Sequence, residues 1–127
     1  MTTIKNNITA NTALQRIERI KPLTARAGLL AIGHHLYWPQ FDGLLDEMHR
    51  KLLLVQDRIE SHGLEVASFG MLDTAQAAYD AVPQIKAADI DILFVDMATY
   101  GTSSTFGILC REINVPIVLV ALQPLAA

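Results

Sequence analysis

Two adjacent imidazoles, several aromatic rings and a run of hydroxyls cluster where apolar segments of the chain end. His34 and His35 are followed closely by Tyr37 and Trp38, and Thr99, Tyr100, Thr102, Ser103 and Ser104 form a second cluster just after Asp96. A single imidazole can hydrogen-bond a ligand or carry a proton near neutral pH. Adjacent residues leaving a strand point opposite ways, so His34 and His35 are not expected to grip one metal. The competing reading leaves one of them packed on a backbone partner and the other solvated. The hydroxyl run opens a predicted helix, where an anion such as a phosphate can dock, or where Ser103 or Ser104 does no more than cap. Hydroxyls flanked by Tyr37, Trp38 and Tyr100 also suit a neutral polyol. Its C–H faces pack on aromatic rings while its hydroxyls share hydrogen bonds. Asp96 can orient a ligand or accept from loop amides. Cys110 falls inside a predicted helix with no basic partner, so packing in the core is expected of it.

Other chemistries lack their residues. There is no G-x-G-x-x-G after the first apolar run and no phosphate-binding G-x-x-x-x-G-K-[ST], which excludes the usual dinucleotide and nucleotide loops. No G-x-S-x-G elbow supports a serine hydrolase. No His/Asp/Glu spacing completes a metal site. A single cysteine excludes an internal disulfide.

The elements that must position these residues alternate. Residues 27–33 form a continuous apolar run, the mark of a strand covered on both faces. Pro39 opens a long helix with Phe41, Leu44, Leu45, Met48, Leu52, Val55 and Ile59 on one stripe. Asp46–Arg50 and Glu47–Lys51 are spaced as ion pairs, and His62-Gly63 closes the helix. Residues 64–69 alternate like a strand near a sheet edge. Asp73-Thr74-Ala75-Gln76 reads as a capping box for a helix to Ala88, with a kink or break at Pro83. Residues 90–96 are a third strand, a helix capped by Ser103 or Ser104 runs to about Asn114, and residues 115–122 are a fourth strand.

This order predicts an α/β fold: a flavodoxin-like three-layer arrangement around a parallel sheet of order 2-1-3-4 over residues 26–127. Residues 1–25 read as an N-terminal arm with a short amphipathic helix carrying Leu14, Ile17 and Ile20. The fourth strand is followed by only five residues where such a fold normally continues, so the chain is expected to open a larger protein. In parallel sheets ligands bind beyond the carboxyl ends of the strands, where strand order reverses. That rule selects the loops holding His34, Tyr37 and Tyr100.

The chain has 127 residues, 51% hydrophobic and 18% charged, with a mean hydropathy of +0.29. This suits one well-buried domain or an extensive subunit interface and excludes intrinsic disorder. Its net charge of −3 conceals an asymmetry. Residues 1–26 carry five basic side chains and one acid, a balance of +4, while the remainder holds five basic and twelve acidic groups, a balance of −7. An acidic body argues against nucleic acid, and the basic arm is expected to lie on an acidic surface. No apolar run is long enough for a membrane helix, and the first 25 residues lack a signal-peptide pattern. A cytoplasmic location is the expectation.

At the strand ends the chain resembles a known family. Gly33-His34-His35-Leu36-Tyr37 resembles the Q-H-L-Y segment that follows the first strand of L-arabinose isomerases. Thr99-Tyr100-Gly101-Thr102-Ser103 is similar to their T-Y/F-S-P-S stretch, and Leu122-Gln123-Pro124 to their T-Q-P. The segments come in the same order, and together they span residue 27 to the end. The resemblance is to the N-terminal domain of the L-fucose/L-arabinose isomerase family, which interconverts aldoses and ketoses through an enediol. It implies that His34, Leu36, Tyr37 and Gln123 line a sugar site, and Tyr100 joins them from the rim. It also implies a divalent metal, usually manganese, held by Glu, Asp and His of later domains, so that this chain alone should not isomerise a sugar. A homo-oligomer, trimeric or hexameric, in which this domain completes a neighbour's active site, is implied as well. This sequence departs from the pattern with His34 in place of glutamine and Gly101-Thr102 in place of Ser-Pro. The alternative from another class is a stand-alone module that binds a small polyol or phosphate without chemistry.

Overall fold

The computed structural model describes residues 24–122. The predicted N-terminal helix and Gln123 lie outside the described residues. Four strands, β1 (Arg26–Ile32), β2 (Glu65–Leu72), β3 (Ile92–Met97) and β4 (Ile117–Val120), alternate with helices α1 (Leu44–Glu60), α2 (Ala75–Ala87) and α3 (Ser103–Glu112). The sheet order is β2-β1-β3-β4 and every pairing is parallel. That is the order the alternation of elements predicts.

β1 is central, and from Ala27 onward each of its residues is buried. Successive side chains alternate across a strand, so Leu30 and Ile32 pack with Leu93, Val95, Ile85 and Leu109 under α2 and α3. Ala27, Leu29 and Ala31 pack with Leu52 and Ile59 of α1 on the opposite face. A helix is about 10 Å across and strands are about 4.8 Å apart, so one helix covers roughly two strands. On the α1 face, β4 therefore keeps Val118 at 39% exposure, with Leu122 just beyond it at 43%.

Several element boundaries differ from the sequence reading, each for a local reason. Residues 35–37 form a 3-10 turn, and α1 begins at Leu44 behind Gly43, which is in the left-handed conformation, rather than at Pro39. Arg50 pairs with Glu47, its two nitrogens 2.9 and 2.6 Å from the carboxylate, instead of with Asp46. This contact pulls the Glu47 carboxyl below its ordinary pKa. β2 runs three residues past the expected Phe69. A bulge shifts its register against β1 between Leu29 and Ala31, with Gly70 at φ +75°. The extra residue turns Leu72 inward beside Ile32. The cap of α2 is Thr74, whose hydroxyl accepts from Ala77 N at 3.1 Å, and α2 continues through Pro83 without a break. Pro83 and the residue four before it, Tyr79, both lie on the exposed face, so the carbonyl left without a helical donor faces water. Cys110 is exposed, not in the core, because the inward face of α3 is taken by Thr105, Ile108 and Leu109.

Candidate functional site

The loops after β1, β2 and β3 are stitched together by backbone. Gly33 N donates to Leu72 O (3.2 Å), His35 N to Asp73 O (3.3 Å), and Ala98 N to Ile32 O (3.1 Å). The loop after β1 is also tied to the loop after β3 through a side chain. His34 N donates to Thr99 Oγ1 at 3.1 Å, and that hydroxyl donates to Tyr100 O at 3.0 Å. Three strand ends thus form one connected rim.

On this rim the rings gather around His34. Its centroid is 5.3 Å from that of His35, 5.3 Å from Tyr37 and 6.2 Å from Tyr100. Tyr37 continues to Phe41 in an edge-on contact at 6.1 Å. His34 and His35 do not diverge as strand neighbours would, because the 3-10 turn that starts at His35 brings their rings to the same side. Backbone partners already engage both. Leu36 N donates to His34 Nδ1 over a long 3.4 Å, which leaves Nε2 as the N–H of the neutral ring. His35 Nδ1 lies 3.3 Å from Asp73 O. His34 is half-buried and Tyr100 is 68% exposed, so the cluster offers one anchored imidazole beside phenol faces open to a ligand.

Of the five residues singled out in the sequence, His34, Tyr37 and Tyr100 come together here. Leu36 shares the 3-10 turn with its side chain 52% exposed, and its amide fixes the His34 ring. Gln123 follows Leu122 and lies outside the described residues. The sequence reading did not assign a role to Asp73 beyond capping. Its carboxylate instead accepts from Trp38 Nε1 at 2.8 Å, and the Trp38 ring lies against Gly33 and close to Met71. The adjacent Thr74 takes the cap, which releases Asp73 for this latch. Trp38 is the sole tryptophan. Replacing it with Phe should cost about 2 kcal/mol, from one hydrogen bond to a charged acceptor, read by urea unfolding followed by circular dichroism.

The hydroxyl run behaves differently from the expectation that Ser103 or Ser104 caps the helix. Thr102 is the N-cap and makes no side-chain cap bond. Its hydroxyl is 2.9 Å from Ser104 Oγ and 3.0 Å from Thr105 Oγ1. Asp96 is 2% exposed and alternates with Phe94 and Ala98 toward the α1 face. Burial pushes its pKa up, and the attraction of Lys51 on α1 partly opposes this; among the described residues no hydrogen bond from a loop amide contributes. The sequence reading of Asp96 as an acceptor of such amides is therefore not met.

Among the described residues no cluster of three His, Cys, Asp or Glu side chains can hold a metal ion. Manganese, implied by the resemblance, finds no donor set among them. No helix among the described residues is long and apolar enough to cross a membrane. The arrangement can bind a small neutral ligand against aromatic faces, with one N–H donor and nearby hydroxyls to share. The chain matches no protein-family model, no curated protein and no solved structure.

Proposed function

We propose that this domain is the substrate-contacting, N-terminal part of a metal-dependent aldose–ketose isomerase of the L-arabinose/L-fucose type. The single observation that carries the reading is the convergence of His34, Tyr37 and Tyr100 at the carboxyl ends of β1 and β3. In this role the Tyr37 and Tyr100 rings pack on the C–H face of a sugar. The His34 Nε2–H donates to one of its hydroxyls, and Leu36 holds the imidazole in that tautomer. The isomerisation belongs to a metal held by other domains, in a cytoplasmic homo-oligomer where this rim completes a neighbouring subunit's site.

The neighbouring Trp38 supplies the readout. Titrating the chain with L-arabinose and L-fucose should change its emission and shift the amides of residues 34–38 and 99–101. His34→Ala or Tyr37→Ala should weaken binding at least about tenfold, the worth of one lost hydrogen bond or ring contact, with circular dichroism unchanged. Unaltered affinity in both variants would remove this rim from the reading. Tight binding of reduced polyols, with aldoses ignored, would favour a binding module without chemistry.

A further inference from the structure

The backbone holds the two imidazoles of the rim in opposite tautomers. The Leu36 amide donates to His34 Nδ1, so that nitrogen keeps its lone pair and the hydrogen of the neutral ring sits on Nε2. His35 Nδ1 lies 3.3 Å from Asp73 O. A carbonyl only accepts, so in the neutral His35 ring Nδ1 carries the hydrogen and Nε2 the lone pair. Among the described residues no hydrogen bond engages either Nε2. His34 is half-buried, yet no side-chain nitrogen or oxygen of the described residues is buried without a partner, so its Nε2 reaches open space. His35 is exposed. With centroids 5.3 Å apart, one ring offers a donor and its neighbour an acceptor.

We propose that His34 and His35 together read a vicinal diol: one hydroxyl accepts from His34 Nε2–H, and the hydroxyl on the neighbouring carbon donates to His35 Nε2. The inference rests on the reading of this rim as a sugar site, and it makes His35 a residue that determines specificity there. Hydrogen bonds of about 2.8 Å from rings this close reach two adjacent carbons of a polyol. The Tyr37 and Tyr100 rings, 5.3 and 6.2 Å from His34, are placed to meet the carbon skeleton. A ligand lacking either hydroxyl leaves one ring nitrogen without a partner, which a site built on hydrogen bonds penalises. An anion has acceptors alone and would set an oxygen against the His35 lone pair, so the neutral pair selects against phosphate.

The test uses the full chain. Nitrogen–proton correlation of the imidazoles at about pH 8.5, above the ordinary imidazole range, should show the hydrogen on Nε2 in His34 and on Nδ1 in His35. The same tautomer in both overturns the proposal. Trp38 emission then follows binding of L-arabinose, cis-cyclohexane-1,2-diol and cyclohexanol. His35→Ala should weaken L-arabinose binding at least about fivefold, near the worth of one hydrogen bond. His35→Gln, whose side-chain carbonyl still accepts, should restore most of that affinity, and His35→Lys, which only donates, should not. The diol should bind at least about fivefold more tightly than cyclohexanol. Binding of L-arabinose that His35→Ala leaves unchanged would overturn this inference and spare the sugar reading. Preference for the diol, with L-arabinose ignored, would do the reverse. Equal binding of the diol and cyclohexanol would mean that a single hydroxyl bridges both rings, and overturns the pair; binding of none of the three overturns both readings.

Discussion

Gly101→Val should destabilise the domain by about 3 kcal/mol, at the upper end of what overpacking a core costs. A Cβ at this position would fall on Ile32 Cγ2, with Gly33 O at 3.5 Å. Ile32 is fully buried at the end of the central strand, and a β-branched side chain has no free rotamer to retreat into. The loop after β3 would have to lift away from β1 and carry Tyr100 away from His34. Urea midpoints followed by Trp38 emission measure the loss of stability, and ring-proton contacts between His34 and Tyr100 measure the opened rim. Gly107, within α3, has open space where a Cβ would stand, so Gly107→Ala is the matched control. A Gly101→Val protein as stable as that control would show that the close approach of the two loops is not required.

Asp96→Asn should raise stability at neutral pH and leave it unchanged in acid. Burial raises the folded-state pKa of Asp96, and Lys51 offsets this only in part. A carboxyl with a raised folded pKa binds its proton more tightly in the native state than in the unfolded chain. Its penalty is therefore absent below the unfolded value of about 4. The penalty grows as pH rises through the folded pKa and is complete above it. Asparagine mimics the protonated form and removes the charge, so the gain above that pH should be about 1–2 kcal/mol, in the range for relieving a desolvated polar group. Urea titrations at pH 4 and pH 7 with equal slopes measure it. Equal midpoints for the two proteins at pH 7 would mean that the ionised carboxylate is compensated.

The strand order was legible because each apolar segment has the length and covering of its element. Residues 27–33 are apolar throughout and prove to be central, while residues 64–69 alternate and prove to be an edge strand. The end of β2 was not legible, since a bulge at Gly70 resets the alternation that defines a strand in sequence. The start of α1 was misplaced for a related reason. Pro39 and Phe41 fit the helical stripe, yet residues 35–37 tighten into a 3-10 turn that periodicity does not distinguish from a first helical turn. At the site, the types of residue were readable and their partners were not. Asp73 followed by Thr74 looks like a cap from either residue, and only the fold brings the Trp38 indole to Asp73 from 35 positions away. His34 and His35 were judged by strand geometry, which the turn cancels. Cys110 was judged apolar by its helix, but its place on the outer face depends on where α2 lies.

The two margins of the sheet are unequal. β2 is kinked at Gly70 and begins with Glu65, both of which discourage another strand from adding alongside. Among the described residues nothing pairs with the outer side of β4, whose Ile117-Val118-Leu119-Val120 carries no charge and keeps Leu119 54% exposed. Lateral growth of the sheet is consequently biased: a further parallel strand extends it more readily from the β4 side, and self-association of partly unfolded chains would start from that same border.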